Sequence, residues 1–298
     1  MRIARFIYDG KETYGILHQH SLIDLQKLSR FKNFPALPNI EDLISLGPEA
    51  EDIIEGLIDE FFNMSEKQRG KAVVSLEDIV LKAPITSPPK IICLGLNYRD
   101  HAEESGASLP DEPIIFMKPR TSIIGPEEPI VKPKFVEKLD YEVELAIVIG
   151  RKGRNIHVSE AEDYIFGYMV FNDISAREIQ FRDGQWTRGK SFDTFAPTGP
   201  YITTSKQIGD PNNLRMYTRV NGEIRQESST KNMIFNVYEI VHRISRVMTL
   251  EPCDIIATGT PAGVAAFMKP VPKFLKPGDT VEVEIEKIGT LKNHVTEA

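Results

Sequence analysis

The clearest hydrophobic pattern in the chain is the segment 140–149, which begins at an aspartate and runs into an unbroken apolar stretch. With strand alternation, the apolar residues that share one face are Val143, Leu145, Ile147 and Ile149. Glu142 and Glu144 then share the opposite face, with Cα atoms roughly 6.5 Å apart. The segment therefore predicts a strand whose two glutamates either face solvent at a sheet edge or share one hard cation.

A second strand is predicted at 166–172, which is apolar enough to be buried and is followed directly by Asp173. A carboxylate at the end of a buried strand needs a partner, because an unpaired buried charge is costly. If the two predicted strands are neighbours in one sheet, Glu142, Glu144 and Asp173 form an oxygen site suited to Mg²⁺ or Mn²⁺. Asp173 also fits as the N-cap of a following helix, and the two roles are compatible.

The first 80 or so residues show a pattern of their own. The alternating segments are 2–8, 14–18 and 21–25, which predict a short β-meander. Apolar spacings of three and four over 40–62 predict helices, and a proline-rich stretch at 82–90 suits a linker or an edge strand. We therefore predict a small α/β N-terminal domain over residues 1–83, followed by a larger domain over residues 84–298.

The larger domain is predicted to be mostly β, because its short apolar segments are separated by glycine and proline turns. One helix interrupts this pattern, from Ile234 to Met248. Its predicted buried stripe consists of Val237, Ile240, Val241, Ile244 and Val247. The expected fold class is thus α+β, mostly β with α.

Composition excludes several classes of function. The 298 residues are 41% hydrophobic and 27% charged, which is typical of a globular protein with a sizeable core. A net charge of −7 with dispersed basic residues argues against a nucleic-acid partner. No apolar run approaches the roughly 20 residues of a membrane span, and the N-terminus lacks a secretory signal pattern, so we predict a cytoplasmic protein. Cys93 and Cys253 are expected to be buried free thiols.

Candidate general-base chemistry lies in the segment 99–106, which predicts a short helix that ends at a glycine. His101 and Glu104 are three residues apart and therefore lie on one face of that helix. A neighbouring carboxylate fixes the tautomer of a histidine and raises its basicity, as a general base requires. An ordinary His–Glu pair on a helix surface has the same spacing, so the pair alone does not establish a catalytic role.

Seven motifs follow one another in the larger domain. They are Gly-x-Asn-Tyr-x-x-His-x-x-Glu at 95–104, Phe-Met-Lys-Pro at 116–119, Asp-Tyr-Glu-Val-Glu at 140–144, Asn-Asp-Ile-Ser-Ala-Arg-Glu-x-Gln at 172–180, Gly-Lys-Ser-Phe-Asp-Thr-Phe-x-Pro-x-Gly-Pro at 189–200, Val-Asn-Gly-Glu at 220–223 and Ile-Ala-Thr-Gly-Thr-Pro-x-Gly-Val at 256–264. In this order they resemble the fumarylacetoacetate hydrolase family over essentially all of residues 84–298. The resemblance implies a mixed β-sandwich roll that usually occurs as a homodimer.

The resemblance also implies roles for residues of this chain. Glu142, Glu144 and Asp173 match the family's ligands of Mg²⁺ or Mn²⁺, and they are the same three acids that strand alternation selects. His101 and Glu104 match the family's base dyad.

Four further positions match groups that act on a small-molecule oxo-acid substrate. Arg177, Gln180 and Lys190 match positions that hold a carbonyl or carboxylate and stabilise developing negative charge, so Lys190 joins the predicted catalytic set. Thr260 lies in the family's substrate-binding Thr-Gly-Thr loop. Each also has a simpler interpretation. Arg177 would be an ion-pair partner of the metal-site acids, and Gln180 would lie on a helix surface. Lys190 would be a charge in a loop, and Thr260 would be a turn residue.

The implied chemistry is that of a divalent-metal-dependent enzyme that acts on a 2-oxo or 1,3-dicarbonyl acid through a metal-stabilised enolate. We favour hydrolysis of a carbon–carbon bond in an acylpyruvate-type substrate, with His101 activating water. An oxaloacetate-type decarboxylase or a 2-hydroxyhepta-2,4-diene-1,7-dioate isomerase would use the same site. A binding or regulatory protein on the same fold is the alternative outside enzyme function.

Overall fold

The computed structural model describes residues 1–31, 39–47 and 49–298. Its strands are β1 (Arg2–Tyr8), β2 (Lys11–His18), β3 (Ser21–Asp24), β4 (Val73–Ser75), β5 (Val80–Lys82), β6 (Ile91–Gly95), β7 (Ile114–Lys118), β8 (Ile123–Ile124), β9 (Ile130–Lys132), β10 (Leu139–Asp140), β11 (Val143–Ile149), β12 (Ile165–Asn172), β13 (Ser175–Ala176), β14 (Ala196–Thr204), β15 (Arg215–Val220), β16 (Glu223–Ser229), β17 (Ile255–Ala257), β18 (Thr280–Ile285) and β19 (Gly289–Glu297).

The α-helices are α1 (Leu25–Ser29), α2 (Ile40–Ile44), α3 (Glu49–Asn63), α4 (Glu66–Ala72), α5 (Arg99–Ser105), α6 (Arg177–Asp183), α7 (Thr187–Lys190), α8 (Ser205–Ile208) and α9 (Val237–Val247). Short 3-10 helices lie at Leu76–Asp78, Arg120–Ser122, Val158–Tyr164, Thr230–Asn232 and Ala265–Phe267.

The described strands form a twelve-stranded sheet, a five-stranded sheet and a two-stranded ladder of β10 and β13. The main path of the large sheet runs β4-β3-β2-β1-β14-β12-β11-β17-β6-β7, with β5 beside β1 and β8 beside β14. The five-stranded sheet has the order β16-β15-β18-β19-β9. Strands dominate and helices cover them, which confirms the predicted α+β class.

The central strand β11 is buried on both faces, and each face packs against a different core. Leu145 and Ile147 share one core with residues of β18 and α9. Ala146 and Val148 contribute to the other core, which residues of α1, α2 and α3 complete. A strand that is buried on both faces needs apolar residues at nearly every position, which explains why 143–149 contains so few polar residues.

The predicted N-terminal β-meander is confirmed as β1, β2 and β3, and the predicted helices are present as α2 and α3. Strand β1 also pairs antiparallel with β14, where Arg2 lies opposite Thr203 and Ile3 lies opposite Ile202. Strands from before and after residue 83 therefore share the large sheet. The division into domains over 1–83 and 84–298 stays a prediction.

Helix α9 is shorter than predicted at its N-terminus and places one predicted core residue in solvent. The Asn236 side chain accepts hydrogen bonds from the first helical turn in a capping box, so the helix begins at Val237 and not at Ile234. Val247 is 63% exposed, and the prediction that it belongs to the buried stripe is wrong. The reason is that Val247 is the last helical residue and Met248 is already extended.

Two other predictions from the sequence can be settled. Asp173 is not an N-cap, because α6 begins only at Arg177 and Ala176 occupies the capping position. Cys93 and Cys253 are buried free thiols, as predicted. Across the described ranges, none of the helices combines the length and the apolar character that crossing a membrane requires.

Candidate functional site

Three carboxylates converge where β11 begins and β12 ends. Glu142 directly precedes β11, Glu144 lies within it, and Asp173 directly follows β12. The two strands are antiparallel neighbours, and the Asp173 N–H donates to the Glu142 carbonyl oxygen at 2.9 Å. One carboxylate oxygen from each acid lies within 4.8 Å of the others, and all three residues are buried. The strand pairing that a shared site requires is therefore present.

Two buried lysines contact this carboxylate cluster. Lys190 Nζ donates to Glu142 Oε2 at 2.8 Å and to Asp173 Oδ2 at 2.5 Å. Lys118 Nζ donates to the other Asp173 oxygen, Oδ1, at 2.5 Å and to the Ile174 carbonyl oxygen at 3.1 Å. Both Asp173 oxygens thus bond to ammonium groups, which compensates for the burial of this carboxylate.

Arg177 is the third buried cation, and its guanidinium is engaged by protein groups on each nitrogen. Nε donates to Asp140 Oδ2 at 2.8 Å, NH1 donates to Gln180 Oε1 at 2.9 Å, and NH2 forms an ion pair with Glu142 Oε1 at 2.6 Å. Arg177 therefore orients Glu142 and Gln180 as well as lining the cavity described below. Because the Gln180 oxygen accepts from Arg177, its NH₂ group is left to donate.

The charges around Glu142 and Glu144 shift the pKa values of these two carboxyl groups in opposite directions. Burial opposes ionisation of Glu142, but Lys190 and Arg177 outweigh it and lower the pKa of this carboxyl to about 2. Burial, reinforced by the negative charges of Asp173 and Glu142, raises the pKa of Glu144 well above its usual range. Among the three clustered acids, Glu144 is therefore the one whose ionised form a nearby positive charge would stabilise most.

The donor set fits a hard divalent cation. Carboxylate oxygens are the ligands that Mg²⁺ and Mn²⁺ prefer in proteins. Glu144 accepts a hydrogen bond from the Gly259 N–H at 2.8 Å, yet it remains beside two other buried carboxylates. A cation held by Glu142, Glu144 and Asp173 would relieve that repulsion.

The predicted base dyad lies on α5, with the imidazole directed towards the same cavity. His101 Nδ1 is 3.5 Å from Glu104 Oε2, which is an ion-pair distance and too long for a good hydrogen bond. The Gly263 N–H donates to both Glu104 oxygens at 3.1 Å, and the His101 ring packs edge-on against Phe267. The loop after β17 therefore holds both members of the pair.

A cavity of about 250 Å³ joins these groups. Its polar wall contains His101, Glu142, Arg177, Gln180, Lys190 and Thr260. Its apolar wall includes Leu94, Leu96, Phe116, Phe181, Trp186 and Phe267. The structure thus brings most of the predicted site residues to one cavity. Glu144, Asp173 and Glu104 are not among the residues that line it. Their individual roles stay predictions.

Sequence reasoning assigned no role to two charged residues that the structure places at the site. Lys118 contacts Asp173, and Asp140 accepts hydrogen bonds from Arg177 and from the N–H groups of Ala265 and Ala266 at 2.8 and 2.9 Å. Both residues belong to motifs singled out above. Only the fold shows which distant groups they contact.

Comparison with known proteins agrees with this site. The model of the fumarylacetoacetate (FAA) hydrolase C-terminal family matches residues 90–296. The mitochondrial oxaloacetate tautomerase Fahd2a of Rattus norvegicus is 46% identical over 224 residues, which cover 75% of this chain and 71% of the relative.

Two solved structures are also similar. A fumarylacetoacetate hydrolase from Exiguobacterium antarcticum is 37% identical, with a TM-score of 0.83 and complete coverage of both chains. A maleylpyruvate hydrolase from Sphingobium sp. SYK-6, in complex with a manganese(II) ion and pyruvate, is 28% identical, with a TM-score of 0.80 and complete coverage of both chains. Because the family match takes in every motif that builds the site, the chain belongs to the fumarylacetoacetate hydrolase family and is an enzyme.

Proposed function

We propose that this protein is a divalent-metal-dependent enzyme that interconverts the keto and enol forms of a 2-oxo acid of the oxaloacetate type. The observation that carries the proposal is the buried cluster of Glu142, Glu144 and Asp173 beside a cavity that also contains His101 and Lys190. An enolate needs positive charge near its oxygen and a base near its carbon, and this cavity offers both.

Glu142, Glu144 and Asp173 would hold Mg²⁺ or Mn²⁺, and the cation supplies Lewis acidity that stabilises negative charge on the substrate oxygens. Lys190 holds the carboxylates of Glu142 and Asp173 in place, because its ammonium donates a hydrogen bond to each of them. The NH₂ group of Gln180 and the Thr260 hydroxyl, which belong to the same polar wall, would donate hydrogen bonds to substrate oxygens.

His101 would move the proton. In the keto-to-enol direction the imidazole accepts the proton from the carbon next to the 2-oxo group, and a proton is then delivered to the oxygen. Glu104 stabilises the imidazolium that forms and keeps the ring oriented. No other bond is made or broken, so water need not enter the reaction. The identity of 46% to an oxaloacetate tautomerase supports this choice of reaction.

Hydrolysis of a carbon–carbon bond in an acylpyruvate is a second candidate, and the cavity walls favour it. Phe116, Trp186 and Phe267 offer an apolar surface to the acyl part of such a substrate. His101 would then activate a water molecule that attacks the distal carbonyl carbon. Decarboxylation and dienol isomerisation would require the same enolate. The homodimer and the cytoplasmic location stay predictions.

The test follows both reactions in one protein preparation. Oxaloacetate tautomerisation is recorded from enol absorbance, and acylpyruvate hydrolysis from pyruvate release, each with Mg²⁺ or Mn²⁺ and against the metal alone. We expect metal-dependent acceleration that is lost in the double variant Glu142→Gln/Glu144→Gln. The matched control is Glu282→Gln/Glu284→Gln, which alters another Glu-x-Glu pattern, in β18, and should retain full activity.

Each outcome separates the candidates. Faster tautomerisation without pyruvate release supports the tautomerase, whereas pyruvate release from an acylpyruvate supports the hydrolase. A protein that binds the metal but accelerates neither reaction would contradict the proposal and favour a binding function.

A further inference from the structure

Gln226 is a fully buried side chain on β16, between the two sheets. Its Oε1 accepts hydrogen bonds from the Val143 N–H at 3.0 Å and from the Thr218 hydroxyl at 2.7 Å. Its Nε2 donates to Thr260 Oγ1 and to the Pro261 carbonyl oxygen, both at 2.9 Å. The amide therefore links the start of β11, which carries the carboxylate cluster, to the loop that carries Thr260.

Two backbone groups decide which way this amide faces. A backbone N–H can only donate, so the atom that faces Val143 must be the amide oxygen. A carbonyl oxygen can only accept, so the atom that faces Pro261 must be the NH₂ group. The reversed amide would place donor against donor and acceptor against acceptor in a buried site, which is costly. The orientation of Gln226 is therefore determined by the fold.

This orientation sets the role of the Thr260 hydroxyl. Its oxygen accepts a hydrogen bond from the Gln226 NH₂ group, so the hydrogen of the hydroxyl itself is directed to some other acceptor. Among the hydrogen bonds of the described residues, none has Thr260 Oγ1 as the donor, although the residue lines the cavity and is only 4% exposed. The hydroxyl hydrogen is thus available to an acceptor within the cavity.

We propose that Gln226 is a positioning residue that holds the Thr260 hydroxyl as a hydrogen-bond donor towards an anionic oxygen of the substrate. The inference rests on the proposed function, which supplies the oxygen of a 2-oxo carboxylate or of an enolate. Such an oxygen accepts hydrogen bonds and has no hydrogen of its own, so a fixed donor is complementary to it. Gln226 does not contact the substrate and acts only through Thr260.

The test compares Gln226→Met, Thr260→Val and the double variant. Affinity for pyruvate is measured by calorimetry in saturating Mg²⁺, and KM and kcat are measured with oxaloacetate. We expect each single variant to weaken pyruvate binding about tenfold, since a hydrogen bond to a charged acceptor is lost. The double variant should be no weaker than either single variant, because both remove the same interaction.

Two controls separate positioning from structural support. Thr218→Val removes a hydrogen bond from the same buried amide but leaves both Nε2 contacts, so pyruvate affinity should stay at the wild-type value. Thr260→Ser retains the hydroxyl and should restore most of the affinity. If Gln226→Met lowers the melting temperature but leaves pyruvate affinity unchanged, or if the two single effects add, the inference is overturned.

A failure of the proposed function would give a different experimental result from a failure of the Gln226 inference alone. Wild-type protein that neither binds pyruvate nor turns over any 2-oxo acid would overturn both proposals. Wild-type binding with an unaffected Gln226→Met variant would overturn only this one. If that variant does not fold, neutron diffraction of wild-type crystals with Mg²⁺ and pyruvate decides instead. The Thr260 deuterium should lie towards the ligand, and a deuterium directed at Gln226 would contradict the proposal.

Discussion

Glu144 occupies the least favourable electrostatic position among the three clustered acids. It is 1% exposed, and the carboxylates of Glu142 and Asp173 lie beside it. Lys190 bonds directly to those two neighbours, whereas Glu144 accepts a hydrogen bond from the uncharged Gly259 N–H. A cation bound to the cluster should therefore stabilise the folded protein largely through this residue.

Adding Mg²⁺ or Mn²⁺ should raise the melting temperature of the wild-type protein. A ligand at about 100 times its Kd adds about 2.7 kcal/mol to the free energy of unfolding. Glu144→Gln removes one anionic ligand, so the metal-induced shift should largely disappear. Thermal melting with and without metal measures this, and Glu282→Gln should keep the full shift. An unchanged shift in Glu144→Gln would exclude this residue from the metal site.

His101 is expected to affect catalysis without affecting metal binding. It lies 8% exposed at the cavity and is not one of the three clustered acids. His101→Asn should lower kcat by about 10²- to 10⁴-fold, the usual contribution of a general base, while the metal-induced melting shift remains. Steady-state kinetics and melting together test this. His20→Asn, in an exposed turn, serves as the control, and equal kcat values in the two variants would argue against a base role.

At the scale of secondary-structure elements, the sequence predicts contacts between neighbouring residues better than contacts between residues that are far apart in the chain. Alternation along 140–149 correctly predicted strand β11 and brought Glu142 and Glu144 together, because both features depend on neighbouring residues. The contact of Asp140 with Ala265 and Ala266 joins groups about 125 positions apart. No local pattern reports such a contact, since it depends on how the strands are ordered in the sheet.

The end of β6 and the start of α7 also meet through a contact that local patterns do not reveal. Gly95 ends β6, and a Cβ atom at this position would overlap the Trp186 ring. Trp186 packs edge-on against Phe116 and precedes the short helix that ends at Lys190. The absence of a side chain at Gly95 therefore allows the indole to line the cavity.

Gly95→Ala should displace the Trp186 ring and disturb the cavity. Trp186 is the only tryptophan in the sequence, so its fluorescence emission should shift, and turnover of 2-oxo acids should fall. Gly56→Ala is a matched control, because Gly56 lies in α3 and a methyl group added there would have no neighbouring atom within 4 Å. That control should stabilise the protein by roughly 0.5–1 kcal/mol. An unchanged emission spectrum for Gly95→Ala would contradict the proposed packing.

At the scale of the whole molecule, the large sheet connects the N-terminal residues to the site. Strand β1 pairs with β14, β14 pairs with β12, and β12 pairs with β11, which carries the clustered glutamates. Ile3, Ile16 and Ile23 also belong to the same core as Met169 and Ile202. We therefore expect residues 1–83 to be required for a stable site.

A fragment of residues 84–298 should aggregate or melt at a lower temperature than the full chain. Removing β1 would expose the edge of β14 and the apolar core beneath it, and open sheet edges promote association. Size-exclusion chromatography and thermal melting, with the full chain in parallel, provide the measurement. A monodisperse fragment that retains the full metal-induced melting shift would show that the two predicted domains are independent.

The ionic cluster has a consequence for the order in which ligands bind. Three buried acids, Asp140, Glu142 and Asp173, form ion pairs with three buried cations, Lys118, Arg177 and Lys190. A fourth buried acid, Glu144, lies beside Glu142 and Asp173. Without a metal ion the cluster has no excess of positive charge, even when Glu144 is protonated. It therefore offers little electrostatic attraction to an anionic substrate. A divalent cation reverses that balance. Binding should therefore be sequential, with the cation first and the oxo acid second, and the cation should dissociate only after the product has left.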